Sequence, residues 1–380
     1  MKVLSIVGAR PNFMKVAPLH RAFQQHPEIT SKVIHTGQHY DERMSFIFFN
    51  QLELPEPDYY LGVGSGSHAV ITAKIMVAFE EIVLHEKPDL VLVVGDVNST
   101  LACALVTKKL NIKLAHVEAG LRSGDRKMPE EINRILTDSI SDYMFVTEES
   151  GMKHLKQEGV PDEKVFFTGN VMIDSLCYYQ EKALQLPLLE KLDLEKGKFV
   201  LTTMHRPSNV DHPDKIKKIL SVFERVGQTM KVVFSMHPRT EKNIKKFNLQ
   251  EQLKAIPNLI VLKPQGYLEF LNLMSNSGLI ITDSGGIQEE STYLKVPCLT
   301  VRDSTERPIT ITIGTNVLIP ELDVDQILEQ FQQCFYKSKA DAVIPPLWDG
   351  KAATRIVDEL LKAFSASPLE KPEPRPSANA

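Results

Sequence analysis

The chain has 380 residues, which exceeds one ordinary domain of about 100 to 200 residues, so two domains are expected. Lys and Arg number 44 against 48 Asp and Glu, and the resulting net charge of -4 gives no reason to expect a nucleic-acid partner. Hydrophobic residues at 43% and charged residues at 24% are typical of a folded globular protein and exclude collagen-like and disordered chains.

The cysteines predict a reducing compartment. Cys103, Cys177, Cys298 and Cys334 are far apart and form no C-x-x-C pair, which argues against a disulfide framework and a zinc cage. The N-terminal apolar run is too short for a signal peptide, and no stretch approaches the roughly 18 apolar residues that a membrane span needs. We therefore expect a cytoplasmic protein with no membrane partner.

Short apolar runs recur along the first half of the chain, with longer segments of helical periodicity between them. The runs cover residues 3–7, 32–35, 90–94, 113–116, 143–146 and 165–167. This alternation predicts a parallel sheet covered by helices on both faces.

The same alternation begins again after a polar segment at residues 184–198. The second set of apolar runs covers residues 199–203, 231–235, 259–262, 278–282 and 298–301. We therefore predict an α/β protein with two doubly wound, Rossmann-like domains, at residues 1–168 and 169–351. A last helix is expected at about 352–364, and the proline-rich segment 365–380 is predicted to be a disordered tail.

A basic segment follows the first predicted strand directly. It starts at Gly8 and begins a helix near Pro11, so that Arg10 and Lys15 would project near the carboxyl end of the sheet. Two cations there suit a diphosphate, whereas the alternative is solvent-facing charge. The G-x-G-x-x-G fingerprint and H-x-x-H spacing are both missing, so neither a nicotinamide cofactor nor a metal is expected.

Acidic residues follow two other strands. Asp96 and Glu118 end the runs that begin at residues 90 and 113, and Glu130 with Glu131 begins a later helix. Because the carboxyl ends of parallel strands open onto one crevice, these carboxylates predict an acid and base cluster.

Each carboxylate also has a structural alternative. Asp96 could cap the following helix, Glu118 could pair with Arg122, and Glu130 could form a helix-surface ion pair with Arg134.

Histidine and arginine residues end the strands of the second half. His205 and His237 follow its first two strands, each within two residues of an arginine, and Arg302 and Arg307 follow a later strand. A single histidine at a strand end is usually structural. Two such strand ends facing an acidic half indicate a site divided between the domains.

A glycine pair opens the helix that follows the strand at 278–282. Ser284, Gly285 and Gly286 would bring backbone N–H groups and the positive helix end to a phosphate, with Glu290 one turn on as a ribose ligand. Ordinary helix capping by Asp283 or Ser284 is the alternative.

Five longer motifs occur in a fixed order along the chain. They are Gly-Ala-Arg-Pro-Asn-Phe-Met-Lys at 8–15, Gly-Asp-Val-Asn-Ser-Thr at 95–100, His-Val-Glu-Ala-Gly-Leu-Arg at 116–122, Pro-Glu-Glu-Ile-Asn-Arg at 129–134 and Asp-Ser-Gly-Gly-Ile-Gln-Glu-Glu at 283–290. Together they resemble the non-hydrolysing UDP-N-acetylglucosamine 2-epimerases, through nearly the whole chain.

The resemblance implies the glycosyltransferase-B architecture, with the active site between two domains and the last helix crossing back onto the first. It also implies a homodimer, no redox cofactor and a part in cell-surface polysaccharide biosynthesis. Gln38-His39-Tyr40-Asp41 departs from the Gln-His-Arg of members activated by a second UDP-GlcNAc, which weakens the expectation of that allosteric site.

The activity that the resemblance implies is the interconversion of UDP-GlcNAc and UDP-ManNAc by elimination to 2-acetamidoglucal and re-addition of UDP. Asp96, Glu118 and Glu130 match the family's essential acids, His205 its nucleotide-side histidine, and Glu290 its ribose ligand. Which carboxylate acts in which direction stays open. The other expected substrate contacts are Arg10, Lys15, Glu131, Arg134, His237, Tyr267, Ser284, Gly285, Gly286, Arg302 and Arg307.

Three other activities fit the same residues. A sister epimerase acts on a UDP-2,3-diacetamido uronic acid, and an extra basic residue at the sugar carboxylate would distinguish it. A hydrolysing epimerase would release free ManNAc and UDP. A glycosyltransferase would share the fold and the UDP site but would not exchange the C2 proton.

Overall fold

The computed structural model describes residues 1–37, 56–335 and 342–366. The first half of the chain folds around a seven-stranded parallel sheet in the order β3-β2-β1-β4-β5-β6-β7. Its strands are β1 (Lys2–Val7), β2 (Thr30–His35), β3 (Tyr59–Tyr60), β4 (Leu90–Val94), β5 (Lys113–Ala119), β6 (Tyr143–Val146) and β7 (Val165–Phe167).

The second half folds around a six-stranded parallel sheet in the order β10-β9-β8-β11-β12-β13. Its strands are β8 (Phe199–Thr203), β9 (Lys231–Ser235), β10 (Leu259–Leu262), β11 (Leu279–Thr282), β12 (Cys298–Thr300) and β13 (Asn316–Leu318). Each sheet reverses its winding direction beside its first strand, where doubly wound folds bind ligands. The predicted fold class is confirmed.

Helices connect successive strands, as parallel pairing requires, except that most of the connection between β2 and β3 lies outside the described residues. Those of the first half are α1 (Arg10–Gln24), α2 (His68–Glu86), α3 (Asn98–Lys109), α4 (Pro129–Ile140) and α5 (Glu149–Gln157). The connection to the second half contains α6 (Val171–Leu184) and α7 (Leu188–Lys191). The later helices are α8 (Pro207–Val210), α9 (Pro213–Gly227), α10 (Pro238–Lys246), α11 (Gln250–Lys254), α12 (Tyr267–Asn276), α13 (Gly285–Tyr293), α14 (Ile309–Thr312), α15 (Val324–Phe335) and α16 (Ala352–Ala366).

Both faces of the first sheet are buried, which explains why its strands are continuous apolar runs. On β4, Leu90 and Leu92 belong to the core that includes α1, whereas Val91 and Val93 belong to the core under α2 and α3. Successive residues of a strand point to opposite faces, so each run supplies two cores.

Helix α6 joins the two halves. It packs against α1 of the first half and against α12 and α13 of the second. The carboxylate of its Asp174 accepts hydrogen bonds from the backbone N–H groups of Ala352 and Ala353, at 3.1 and 2.7 Å, and so caps α16. Helix α16 then packs on α1, which returns the C-terminal helix to the first sheet.

The structure differs from the predicted elements at several ends. Strands β3 and β13 were not predicted, and β5 extends to Ala119, beyond the predicted end at residue 116. Helix α16 extends to Ala366, two residues into the predicted tail, and the rest of that tail lies outside the described residues, as does the segment 38–41. Within the described ranges, no helix has the length and apolarity to cross a membrane.

Candidate active site

A cavity of about 630 Å³ lies between the carboxyl ends of the two sheets, a size typical of small-molecule sites. Both halves of the chain contribute to its wall. The predicted site residues that line it are Lys15, Asp96, Glu130, Arg134, His205, His237, Tyr267, Ser284, Gly285, Gly286, Glu290 and Arg307. Glu118, Glu131 and Arg302 lie behind the wall, and of Arg10 only its place at the start of α1 is described.

Glu118 lies in a bulge at the end of β5. The register of β5 against β6 shifts between Val117 and Ala119, and Glu118 has a φ of +76°. Left-handed backbone is unfavourable for a residue with a side chain and persists where the surroundings fix it. Here it directs the carboxylate to Lys15, which donates to Oε2, and to Nη2 of Arg307, which donates to Oε1 at 2.9 Å.

These two cations decide the charge of Glu118. Burial raises the pKa of the carboxyl, but Lys15 and Arg307 lower it by more, so its pKa lies below the ordinary value. Glu118 is therefore ionised, and its alternative partner Arg122 instead pairs with Asp138 and Glu158.

Asp96 follows β4 and accepts a hydrogen bond from Nη1 of Arg134 at 2.5 Å. Burial raises the pKa of Asp96, and the opposing effects of Arg134 and Lys15 do not cancel it, so the pKa lies above the ordinary value. Asp96 does not cap α3, whose N-cap is Val97. Two carboxyls with opposite pKa shifts can divide the acid and base roles of one reaction.

Glu130 and Glu131 take different positions at the start of α4. Glu130 lines the cavity. Glu131 accepts from the backbone N–H groups of Ser123 and Gly124, at 2.9 and 3.0 Å, and from Nη2 of Arg134 at 2.7 Å. The predicted substrate contact of Glu131 is therefore not supported, because its oxygens face the 123–124 loop and orient Arg134.

His205 follows β8 and faces Asp283 at the end of β11. The imidazole Nδ1 lies 3.0 Å from Oδ1 of Asp283, and the backbone N–H of Arg206 donates to Oδ2 at 2.8 Å. Burial raises the pKa of Asp283, but the hydrogen bonds from His205 and Arg206 lower it by more. The Asp283 carboxylate orients the imidazole through Nδ1, and Nε2 is then the nitrogen that can contact a ligand. The ring of His237 lies 5.4 Å away.

Arg307 connects the acidic residues of both halves. Besides Glu118, its Nε lies 3.0 Å from Oε2 of Glu289, and its Nη1 donates to Glu306. Nη2 of Arg302 donates to the other oxygen of Glu306 at 2.8 Å. Arg302 therefore contacts the site through Glu306, and the predicted substrate contact of Arg302 is not supported.

The N-terminus of α13 forms part of the cavity wall. Ser284 is the N-cap residue and makes no side-chain capping bond, and Asp283 instead accepts bonds from the 205–206 backbone. A Cβ at residue 285 would lie 2.9 Å from Nη1 of Arg307, so Gly285 is needed for this close approach. The first N–H groups and the positive end of the helix dipole suit an anion here.

Glu290 lies on the next turn of α13 and is buried at the cavity wall. Its Oε1 accepts a hydrogen bond from the hydroxyl of Tyr267 at 2.9 Å. Burial raises the pKa of Tyr267 well above the ordinary value, and the nearby Glu290 carboxylate adds to the shift. The tyrosine therefore stays protonated and orients one carboxylate oxygen.

Three buried carboxylates of the site were missed by sequence reasoning: Asp283, Glu289 and Glu306. Asp283 carried a usable signal, since it ends a strand as Asp96 does. Glu289 and Glu306 each adjoin a residue that was singled out, Glu290 and Arg307, and periodicity alone does not show which of two neighbours faces a cleft.

Comparisons with known proteins identify the relatives of this chain. The model of the family described as UDP-N-acetylglucosamine 2-epimerase matches residues 21–361. A UDP-N-acetylglucosamine 2-epimerase of Methanocaldococcus jannaschii is 43% identical over 368 residues, which are 94% of this chain and 98% of that protein. A UDP-2,3-diacetamido-2,3-dideoxy-D-glucuronate 2-epimerase of Pseudomonas aeruginosa is 39% identical over 366 residues, 95% of this chain and 100% of that one.

A solved structure matches both halves of the fold. The crystal structure of the Methanocaldococcus jannaschii UDP-GlcNAc 2-epimerase, in complex with UDP-GlcNAc and UDP, aligns with a TM-score of 0.87 and 42% sequence identity. The alignment covers 95% of this chain and 100% of that one.

Proposed function

The chain belongs to the UDP-N-acetylglucosamine 2-epimerase family, and from that premise we propose that it is an isomerase that interconverts UDP-N-acetylglucosamine and UDP-N-acetylmannosamine. The observation that carries the proposal is that one cavity joins the acids Asp96 and Glu130 of the first half to His205 and Glu290 of the second. Such an arrangement can act on a sugar ring while it holds a nucleotide.

The reaction must invert a carbon whose proton is poorly acidic, since C2 of the sugar is not beside a carbonyl. In the proposed route a carboxylate takes the C2 proton as the bond between C1 and the UDP oxygen breaks. The electrons of the C–H bond form the double bond of 2-acetamidoglucal. UDP then adds again at C1, and a proton is delivered to the opposite face of C2.

The carboxylates differ in the way that this route needs. Glu118 is ionised and suits a proton acceptor, whereas the raised pKa of Asp96 suits a group that also carries a proton. Asp96 and Glu130 line the cavity, and Glu118 lies directly behind its wall, in contact with Lys15 and Arg307. These are the three acids that we propose to be catalytic.

The leaving diphosphate has its own set of proposed ligands. Lys15, His205 and the α13 start at Ser284 supply positive charge and N–H groups. Glu290 is the proposed ligand of the ribose hydroxyls, with one oxygen oriented by Tyr267.

The charge balance of the cavity favours a neutral sugar over a uronic acid. Arg134 pairs with Asp96 and Glu131, and Arg307 pairs with Glu118, Glu289 and Glu306. A sugar carboxylate would have to compete with these buried partners. The relative that acts on a diacetamido glucuronate makes that substrate the second candidate.

A substrate panel tests the proposal. Purified protein should convert UDP-GlcNAc to a mixture with UDP-ManNAc and incorporate solvent deuterium at C2. Turnover of the UDP-diacetamido uronate alone would show that this uronate, and not UDP-GlcNAc, is the substrate. Release of free ManNAc would indicate a hydrolysing enzyme. Asp96→Asn should lose turnover by about 10²-fold or more and still bind UDP.

The domain boundaries also belong to the proposal. We infer an N-terminal domain of residues 1–168, completed by the helix at about 352–364, and a UDP-binding domain of residues 169–351. The two sheets and the packing of α16 on α1 support this division.

We also propose that the protein is a cytoplasmic homodimer and that it takes part in cell-surface polysaccharide biosynthesis. The four cysteines are all unpaired, as in a reducing compartment. Val70, Val77 and Leu84 are exposed at seven-residue spacing along α2 and give an apolar stripe that a second copy could cover. Light scattering of the wild type and of Val77→Asp tests this interface.

A further inference from the structure

His116 lies at the centre of the first sheet, between β4 and β6, and is completely buried. Its Nε2 lies 2.8 Å from the carbonyl oxygen of Gly95, and its Nδ1 lies 2.6 Å from Oδ1 of Asp138. Neither His116 nor Asp138 is among the residues that line the cavity. Both ring nitrogens thus lie within hydrogen-bond distance of an oxygen atom.

The neighbours of the ring fix its orientation. A backbone carbonyl can only accept, so Nε2 carries a proton for Gly95. The other oxygen of Asp138 accepts from the backbone N–H of Gly120 at 3.0 Å and lies 2.8 Å from Nη1 of Arg122. Burial raises the pKa of Asp138, but His116 and Arg122 lower it by more, so this carboxylate is ionised. The ring of His116 therefore bridges the carbonyl of Gly95 and the carboxylate of Asp138.

The hydrogen bond to Gly95 acts on the residue that precedes Asp96. Gly95 has a φ of +67°, and its N–H donates to the carbonyl of Val117 at 3.1 Å. Residues of β5 therefore bind both the N–H and the carbonyl group of Gly95. A Cβ on Gly95 would lie 3.0 Å from Nζ of Lys15 and 3.4 Å from Oε2 of Glu118. The place of this glycine therefore sets the spacing between Asp96 and the Lys15–Glu118 pair.

Asp138 holds the other side of the same strand end. It binds the N–H of Gly120, which has a φ of +79° and lies two residues beyond Glu118. The His116–Asp138 pair thus connects the two backbone turns from which the acids reach the cavity wall.

We propose that His116 and Asp138 are positioning residues for C2 proton transfer, a buried hydrogen-bonded pair that sets the positions of Asp96 and Glu118. This inference rests on the proposed function. Disturbing the pair should slow the chemical step and leave nucleotide binding unchanged, because neither residue faces the UDP side of the cavity.

Nitrogen NMR of the wild-type imidazole tests the contact between His116 and Gly95. Nε2 of His116 should show an N–H signal with a hydrogen bond to a carbonyl oxygen. A bare Nε2 in the wild type would overturn the proposal, even if a variant does not fold.

Kinetics of Asp138→Asn and His116→Gln test the role. Turnover and C2 deuterium exchange should both fall about tenfold to hundredfold, the loss typical of misplaced reacting groups, while the Kd for UDP changes by less than about twofold. A fall in UDP affinity as large as the fall in turnover would reduce the pair to a structural role and overturn the proposal.

His154→Gln is the matched control. Nδ1 of His154 lies 2.8 Å from the carbonyl oxygen of Gly120, so the variant alters a histidine contact with the same loop without touching Gly95. Its turnover should stay within about twofold of the wild type, and an equal loss would overturn the proposal. If the wild type epimerises no tested UDP-sugar while its spectrum shows the hydrogen-bonded Nε2–H, the proposed function fails and the contact between His116 and Gly95 stands.

Discussion

Arg307 and Glu118 join the two halves of the protein, with Nη2 of the arginine 2.9 Å from Oε1 of a carboxylate 189 residues away in the sequence. The second oxygen of Glu118 accepts from Lys15. The proposed base, Glu118, is therefore paired with two cations, Lys15 and Arg307, that a diphosphate would also attract. A substrate that draws them away would raise the pKa of Glu118 and make it a stronger base.

Glu118→Gln is expected to separate catalysis from binding. Turnover should fall by about 10²-fold to 10⁴-fold because the amide cannot accept the C2 proton. UDP affinity should stay the same or rise, since Lys15 and Arg307 lose a competing carboxylate. Steady-state kinetics and titration calorimetry measure the two effects, with the exposed Glu224→Gln as the control. Weaker UDP binding would contradict the competition between Glu118 and the diphosphate.

Asp283→Asn is expected to weaken UDP binding about tenfold. The variant keeps the size of the side chain but removes the charged acceptor that orients His205 and holds the 205–206 backbone. His205 is a proposed ligand of the diphosphate, so a misplaced imidazole should lower the affinity for UDP. Titration calorimetry measures the loss. The exposed Asp214→Asn should match the wild type, and an unchanged UDP affinity in Asp283→Asn would rule out this role.

Glu290→Gln is expected to weaken UDP binding about tenfold to hundredfold, because a charged acceptor for the ribose hydroxyls is lost. The same substitution should change the affinity for 2′,3′-dideoxy-UDP by less than about twofold. Tyr267→Phe should give a smaller loss, since it only frees the carboxylate that the hydroxyl orients. Equal losses with both nucleotides would assign Glu290 to the fold rather than to the ribose.

Glu148→Gln is expected to stabilise the protein above neutral pH. Burial raises the pKa of Glu148 to about 7, with a further contribution from Glu289, and its Oε2 has no hydrogen-bond partner among the described residues. The folded state therefore holds a proton that the unfolded chain releases at about pH 4.5, so stability falls as pH rises from there to about 7.

The size of this effect follows from the shift. Ionising Glu148 costs the folded state up to about 3 kcal/mol at pH 8, which the amide avoids. Denaturant unfolding at about pH 5 and pH 8 should show the variant more stable than the wild type only at the higher pH. The exposed neighbour Glu149→Gln is the control. An equal gain at both pH values would assign the effect to packing.

The positions of most strands could be predicted because buried parallel strands occur in the sequence as uninterrupted apolar runs. Strand β4 shows this, since Leu90 to Val94 feeds a core on each face. Strand β3 could not be found in this way, because Tyr59 and Tyr60 form a two-residue edge strand with an exposed face. Strand β13 is a three-residue edge strand that starts with a polar residue, Asn316.

The side chains at strand ends could be predicted as a group, but not their pairings. Asp96, His205 and Glu290 line one cavity because the carboxyl ends of both sheets face it. The partner of His205 is an aspartate 78 residues further along the chain, a contact that only the folded sheet creates. The direction of the Glu118 side chain depends on a β-bulge in β5. The apolar pattern of the sequence does not show where this bulge occurs.

The capping of α16 by Asp174 has a consequence for dissecting the molecule. Ile356, Val357 and Leu360 of that helix are fully buried, so a fragment that ends after the first sheet would present a bare apolar groove to water. The N-terminal domain that we propose is thus built from two separate segments of the sequence. Separate expression of the amino-terminal piece should give aggregates unless the terminal helix is supplied in trans or grafted onto its end.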